Sequence, residues 1–145
     1  MAPTAASTLR LPLCADQRTS LRGRRRSACG RELLLQLPRG AALKPGEQLV
    51  NADGSVTAVV EAASEAVMDV SGVDPLALLQ AAYHLGNRHV ALELHADHLV
   101  LLEDSVLMTL LRQRGLQVLQ RQGPFHPEAG AYADLSPGDQ HHHHP

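Results

Sequence analysis

Four adjacent imidazoles close the chain, His141, His142, His143 and His144, with only Pro145 after them. They sit beyond Ser136-Pro137-Gly138-Asp139, a breaker-rich stretch that is not expected to fold. Imidazoles on such a strap capture borderline divalent ions such as nickel, copper and zinc. They form no closed cage, so ions held there exchange readily. A purification tag is the plain alternative, but tags usually end in histidine, and here Pro145 follows.

A second chemistry-bearing residue is His89, directly after Gly86-Asn87-Arg88. The pattern places it just past a helix stop, at the start of a strand. By alternation it points opposite to Val90, Leu92 and Leu94, onto the open side of a sheet. One imidazole cannot hold a metal firmly. A two-fold dimer changes that, because each chain brings the same residue to the axis. Two His89 side chains then share one ion, with open positions for tail histidines or water. A lone surface histidine is the bland alternative. Imidazole must be neutral to bind, so loading is expected to fail below about pH 6.5.

The remaining histidines read as structural or solvent-facing. His84 lies five residues before His89, a helical rotation of about 140°, so the two share no face. His95 and His98 flank an Ala-Asp turn and could pair, but a hairpin-end surface role is the leading reading. His126 lies in a Pro-flanked loop without an evident ligand partner. Cys14 and Cys29 form no CxxC pair and read as packed or incidental thiols.

Positioning these groups requires a mixed α+β fold. Leu9, Leu11 and Leu13 alternate like a strand. Leu33 to Leu37 is an apolar run stopped by Pro38. Gln48 to Val50 and Val56 to Ala62 flank the hairpin signal Asn51-Ala52-Asp53-Gly54. Short strands with regular turns suggest a small β domain over residues 1 to 66. The period then changes. Ala66 to Val70 is a strand. Asp74-Pro75 supplies an N-cap and a first-turn proline. Leu76, Leu79 and Tyr83 recur at helical spacing, with Gly86 as the natural helix stop. Val90 to Leu94 and His98 to Leu102 are strands. Asp104 or Ser105 caps a second helix ended by Gly115, and Leu116 to Leu119 is the last strand. The order is that of a ferredoxin-like domain over residues 67 to 135, followed by a flexible tail over 136 to 145.

Composition bounds the rest. Hydrophobic residues reach 44% but aromatics only 2%, so the core is built from Leu, Val and Ala. No run approaches the roughly 20 apolar residues that span a bilayer. The start is Arg-rich and poor in acids, faintly like a transit peptide, but without an amphipathic run. No apolar segment follows Met1 to make a secretory signal. Two cysteines without a signal read as reduced and cytoplasmic. Net charge is only -2. Basic charge gathers at Arg22, Arg24, Arg25 and Arg26. With few aromatics to stack bases, this cluster reads as a solvated loop or a protein-docking site rather than a nucleic-acid patch. No phosphate-binding glycine loop, nucleophile elbow or paired metalloprotease histidines are present, so the chain does not read as an enzyme.

Three blocks resemble the UreE family of urease accessory nickel metallochaperones. Tyr83-His84-Leu85-Gly86-Asn87-Arg88-His89-Val90 is similar to its central motif. Pro124-Phe125-His126-Pro127-Glu128-Ala129-Gly130-Ala131-Tyr132 is similar to the segment before its His-rich tail. Leu35-Gln36-Leu37-Pro38-Arg39-Gly40 resembles its N-terminal domain. The resemblance implies a peptide-binding-like N-terminal β domain and a ferredoxin-like domain that forms a homodimer. It implies that the histidine matching His89 binds nickel from both chains and that the tail adds ligands. Implied partners are the urease apoenzyme and its accessory GTPase complex, with no nucleic acid and no membrane. The chain departs from the family at Glu103-Asp104-Ser105, where many members have histidines. A secondary metal site there is not expected. A general divalent buffer or storage protein and a peptide-binding assembly scaffold are the other function classes.

Overall fold

The computed structural model describes residues 7–129, which divide into two units of mixed α and β structure. One unit comprises the chain up to Glu65 together with Gly123–Phe125. The other comprises Ala66–Gln122 and residues 126–129.

The first unit contains strands β1 (Ser7–Leu13), β2 (Arg22–Arg26), β3 (Glu32–Gln36), β4 (Gln48–Val50) and β5 (Val56–Ala62), and the short helix α1 (Ala15–Thr19). β1 pairs parallel to β5, and β5 pairs antiparallel to β4. β2 and β3 form a separate antiparallel ribbon. The alternation of Leu9, Leu11 and Leu13 is realised, since all three are buried. Leu11 and Leu13 pack with Leu35, Leu43, Ala58 and Val60. On β3, Leu33 and Leu35 turn inward while Leu34 is exposed, the period-two pattern of a half-buried strand.

Two features differ from the sequence expectation. The Arg22–Arg26 run is a strand rather than a solvated loop. One edge of its backbone pairs with β3, while Arg22, Arg24 and Arg26 project into solvent. α1 is too short to show a helical period. It buries Arg18, which is only 4% exposed. The Arg18 guanidinium donates to the Leu13 carbonyl at 2.9 Å and to the Phe125 carbonyl. It thereby ties two distant stretches of the chain, and the Leu13 carbonyl accepts from the Ala63 amide as well, at 2.9 Å.

The second unit runs β6 (Ser64–Ser71), α2 (Pro75–Asn87), β7 (Glu93–Leu94), β8 (His98–Leu102), α3 (Ser105–Gln113) and β9 (Gln117–Pro124). The sheet order is β7-β8-β6-β9. Met68 and Val70 from β6 and Leu99 and Leu101 from β8 pack with Leu85 of α2 and Leu111 of α3. The strand expected over Val90 to Leu94 shrinks to two residues, and the last strand lengthens to Pro124.

α3 begins where Asp104 caps it. The Asp104 Oδ1 accepts from the Val106 and Leu107 amides at 2.9 and 3.0 Å. Ser105 is the first helical residue rather than the cap. Asp104→Ala is expected to cost about 1 kcal/mol, read as a lower urea midpoint with an unchanged slope.

Candidate metal centre

α2 delivers His89. Asp74 caps its start, with Oδ1 accepting from the Leu76 amide at 3.0 Å, and Pro75 fills the first turn. Leu78, Ala81 and Leu85 form its buried face. The row Leu76, Leu79 and Tyr83 is instead exposed, at 57%, 68% and 67%.

The helix does not stop at Gly86. It continues through Asn87, and Arg88 is the C-cap. The His89 amide then donates to the Gly86 carbonyl at 3.0 Å, and the Val90 amide donates to the Leu85 carbonyl at 3.0 Å. These are the two bonds of a Schellman motif, with His89 in the left-handed position usually taken by glycine. Its φ is +60°, and among the described residues it is the one non-glycine with positive φ. α3 ends the same way with the usual residue in place. Gly115, at φ +85°, donates to the Arg112 carbonyl at 3.0 Å, and Leu116 donates to the Leu111 carbonyl at 3.1 Å.

His89 is therefore a turn residue and not the first residue of a strand. Strand alternation does not set its direction. Its exposure follows from the helix end, where the left-handed residue turns the chain back toward the core and Val90 packs against that core. No described residue hydrogen-bonds its ring, so both nitrogens are open to a ligand. A side chain held in this conformation costs of the order of 1–2 kcal/mol, and such costs gather at functional positions.

Among the described residues, no three His, Cys, Asp or Glu side chains are gathered to hold one ion. His89 thus stands as a single exposed imidazole. His141, His142, His143 and His144 lie outside the described residues. His84 is exposed and meets Tyr83 edge-on at 5.3 Å between ring centres. At the stretch where histidines were not found in the sequence, Asp104 is occupied as the α3 cap and Glu103 accepts from the Gln120 amide. Both carboxylates there have structural work.

The β7–β8 hairpin end is more organised than the sequence suggested. His95 and His98 stack, with ring centres 4.2 Å apart and planes 6° apart. His95 Nε2 lies 2.5 Å from Glu93 Oε2, and His98 Nδ1 lies 2.6 Å from Asp97 Oδ1. The His126 main-chain N–H donates to Glu93 Oε1 at 2.8 Å. Burial raises the Glu93 pKa, but the bonds from His95 and His126 outweigh it and leave the carboxyl below its ordinary value. Asp97 is lowered by its bond to His98. The signal in the sequence was the spacing His-x-x-His across a two-residue turn, which makes the pair cross-strand neighbours.

Comparison with known proteins places both halves of the chain. Residues 2–62 match the profile described as UreE urease accessory protein, N-terminal domain. Residues 65–145 match the UreE urease accessory protein, C-terminal domain. The urease accessory protein UreE of Parasynechococcus marenigrum (strain WH8102) is 62% identical over 125 residues, covering 86% of this chain and 83% of the relative. That of Synechococcus sp. (strain CC9311) is 60% identical over 126 residues, covering 87% and 81%. The Citrobacter koseri protein is 45% identical over 139 residues, covering 96% and 91%. With two family domains in order and relatives matched over most of their length, the chain belongs to the UreE urease accessory protein family.

Proposed function

We propose that this chain is a nickel-binding metallochaperone that delivers nickel to apo-urease during assembly of the urease active site. The observation behind this reading is His89, an exposed imidazole with no hydrogen-bond partner among the described residues, held at a left-handed helix end where glycine costs less. Family membership supports a part in urease maturation, alongside the urease apoenzyme and its accessory GTPase complex.

A single imidazole calls for a second protomer. The exposed row Leu76, Leu79 and Tyr83 lies on the helix that leads to His89 and supports a homodimer that brings two His89 rings to one ion. His141 to His144 then recruit ions and pass them to that pair. Coordination by two to four imidazoles with water is weak enough to release its cargo, which suits a carrier better than a store.

In this reading residues 1–66 form the N-terminal domain, 67–135 the metal-binding domain and 136–145 the tail. The strand order β7-β8-β6-β9 supports a ferredoxin-like arrangement for the second. No helix among the described residues is long and apolar enough to cross a membrane. The free thiols of Cys14 and Cys29 fit a reducing cytoplasm.

Equilibrium dialysis of His89→Ala tests the proposal. The tightest nickel site is expected to vanish while weaker tail binding remains, and a reconstituted apo-urease is expected to activate poorly. The native chain is expected to lose nickel as the pH falls, because only the neutral imidazole binds the ion. Retention of the tightest site in His89→Ala removes His89 from the mechanism. Full binding loss with unimpaired urease activation favours a general divalent buffer instead.

A further inference from the structure

We propose that His95 and His98, at the tip of the β7–β8 hairpin, form a second and weaker site for a borderline divalent cation. This rests on the carrier reading in one respect only, that such an ion is the cargo.

The two residues are opposite one another in the ladder. Glu93 pairs with Val100 and Leu94 with Leu99, and the His95 amide donates to the His98 carbonyl at 3.0 Å. Both rings therefore lie on one face of the hairpin, stacked at 4.2 Å. Each ring spends one nitrogen on a carboxylate, His95 Nε2 on Glu93 and His98 Nδ1 on Asp97. A neutral imidazole places its N–H toward the carboxylate. By that assignment the lone pairs fall on His95 Nδ1 and His98 Nε2. Carboxylates in this position fix the tautomer and raise the basicity of an imidazole ligand. Glu93 is itself held, because its other oxygen accepts the His126 amide from a separate part of the chain.

Stacked rings do not aim their lone pairs at a common point, in keeping with the lack of a three-ligand group among the described residues. Binding one ion requires one ring to rotate out of the stack. Side-chain exposures of 42% and 32% leave room for that. Two imidazoles with water in the other positions make an exchangeable site, chemically suited to holding an ion in transit.

The test uses the full-length chain, 15N-labelled, with His141, His142, His143 and His144 replaced by Ala and nickel chloride as the probe. Paramagnetic nickel is expected to broaden the His95 and His98 ring signals at lower concentration than that of His84, which is exposed on α2. His95→Gln with His98→Gln is expected to lower bound nickel by one ion per chain and leave the tightest site intact. Broadening of the His84, His95 and His98 rings at the same nickel concentration overturns the proposal, as does an unchanged count in the double variant. The result is separable from the fate of the carrier reading, because His89→Ala reports on the tightest site and the His95 and His98 signals report on this one.

Discussion

His89→Gly is expected to make the protein more stable and to abolish its tightest nickel site. An L-residue in the left-handed region costs of the order of 1–2 kcal/mol, and glycine removes that cost. Glycine also frees the unfolded chain, which returns about 0.4–1 kcal/mol. The net expectation is a gain of about 0.5–1 kcal/mol in urea denaturation. His89→Ala keeps a Cβ at φ +60° and is expected to show no such gain, although it loses the same nickel site. The pair of variants separates backbone cost from ligand chemistry. Gly115 supplies the internal control. It ends α3 through the same two hydrogen bonds, so Gly115→Ala is expected to lose roughly what His89→Gly gains. Nickel dialysis on the four proteins completes the comparison. A glycine variant no more stable than the alanine variant would show that the turn tolerates His89 without cost, and the functional reading of its conformation would fall.

That conformation was not legible in the sequence, and the reason is specific. Gly86-Asn87-Arg88-His89 offers a glycine, the residue that most often ends a helix, and so points to a stop there. The chain instead runs one more residue of helix and spends its left-handed position on His89. Local preference pointed to Gly86, and the packing of Leu85 and Val90 against the core settled the ending elsewhere. At α3 preference and packing agree on Gly115, and there the expectation held. The caps were equally readable, because Asp74 and Asp104 act on amides only two or three residues away. Leu9, Leu11 and Leu13 were readable because one face of β1 is buried and the other is not. Arg18 was not, since its partners lie at Leu13 and Phe125 and no local pattern announces them. The stacked His95 and His98 lay between these cases. Their spacing and the carboxylates one and two residues away are visible in the chain, but the stacking of the rings and the second bond that holds Glu93, from the His126 amide, are set by the fold.

Helical spacing in α2 identified the helix without saying which face is covered, and the face left open leads to the second large expectation. Leu76, Leu79 and Tyr83 form an exposed apolar row at i, i+3 and i+7, and Val73, fully exposed, precedes the helix. Tyr83 lies six residues before His89, near the C-terminal end of α2. An interface built on this row by a two-fold axis would bury each residue twice, once per copy, close to the imidazole pair. Leu79→Glu is therefore expected to remove two buried leucines and to bring two like charges together. Loss of the leucines alone is worth about 3 kcal/mol, a hundredfold or more in the dimer Kd. Light scattering should show the native mass of a dimer falling to that of a monomer. Because the substituted position is exposed in the single chain, the protomer is expected to keep its fold and its circular dichroism. The tightest nickel site is expected to disappear with the dimer even though His89 is untouched, while binding by His141 to His144 persists. A monomeric Leu79→Glu that keeps the tightest site would refute the shared-imidazole geometry. A Leu79→Glu dimer would place the interface on another face and leave the α2 row to a different partner.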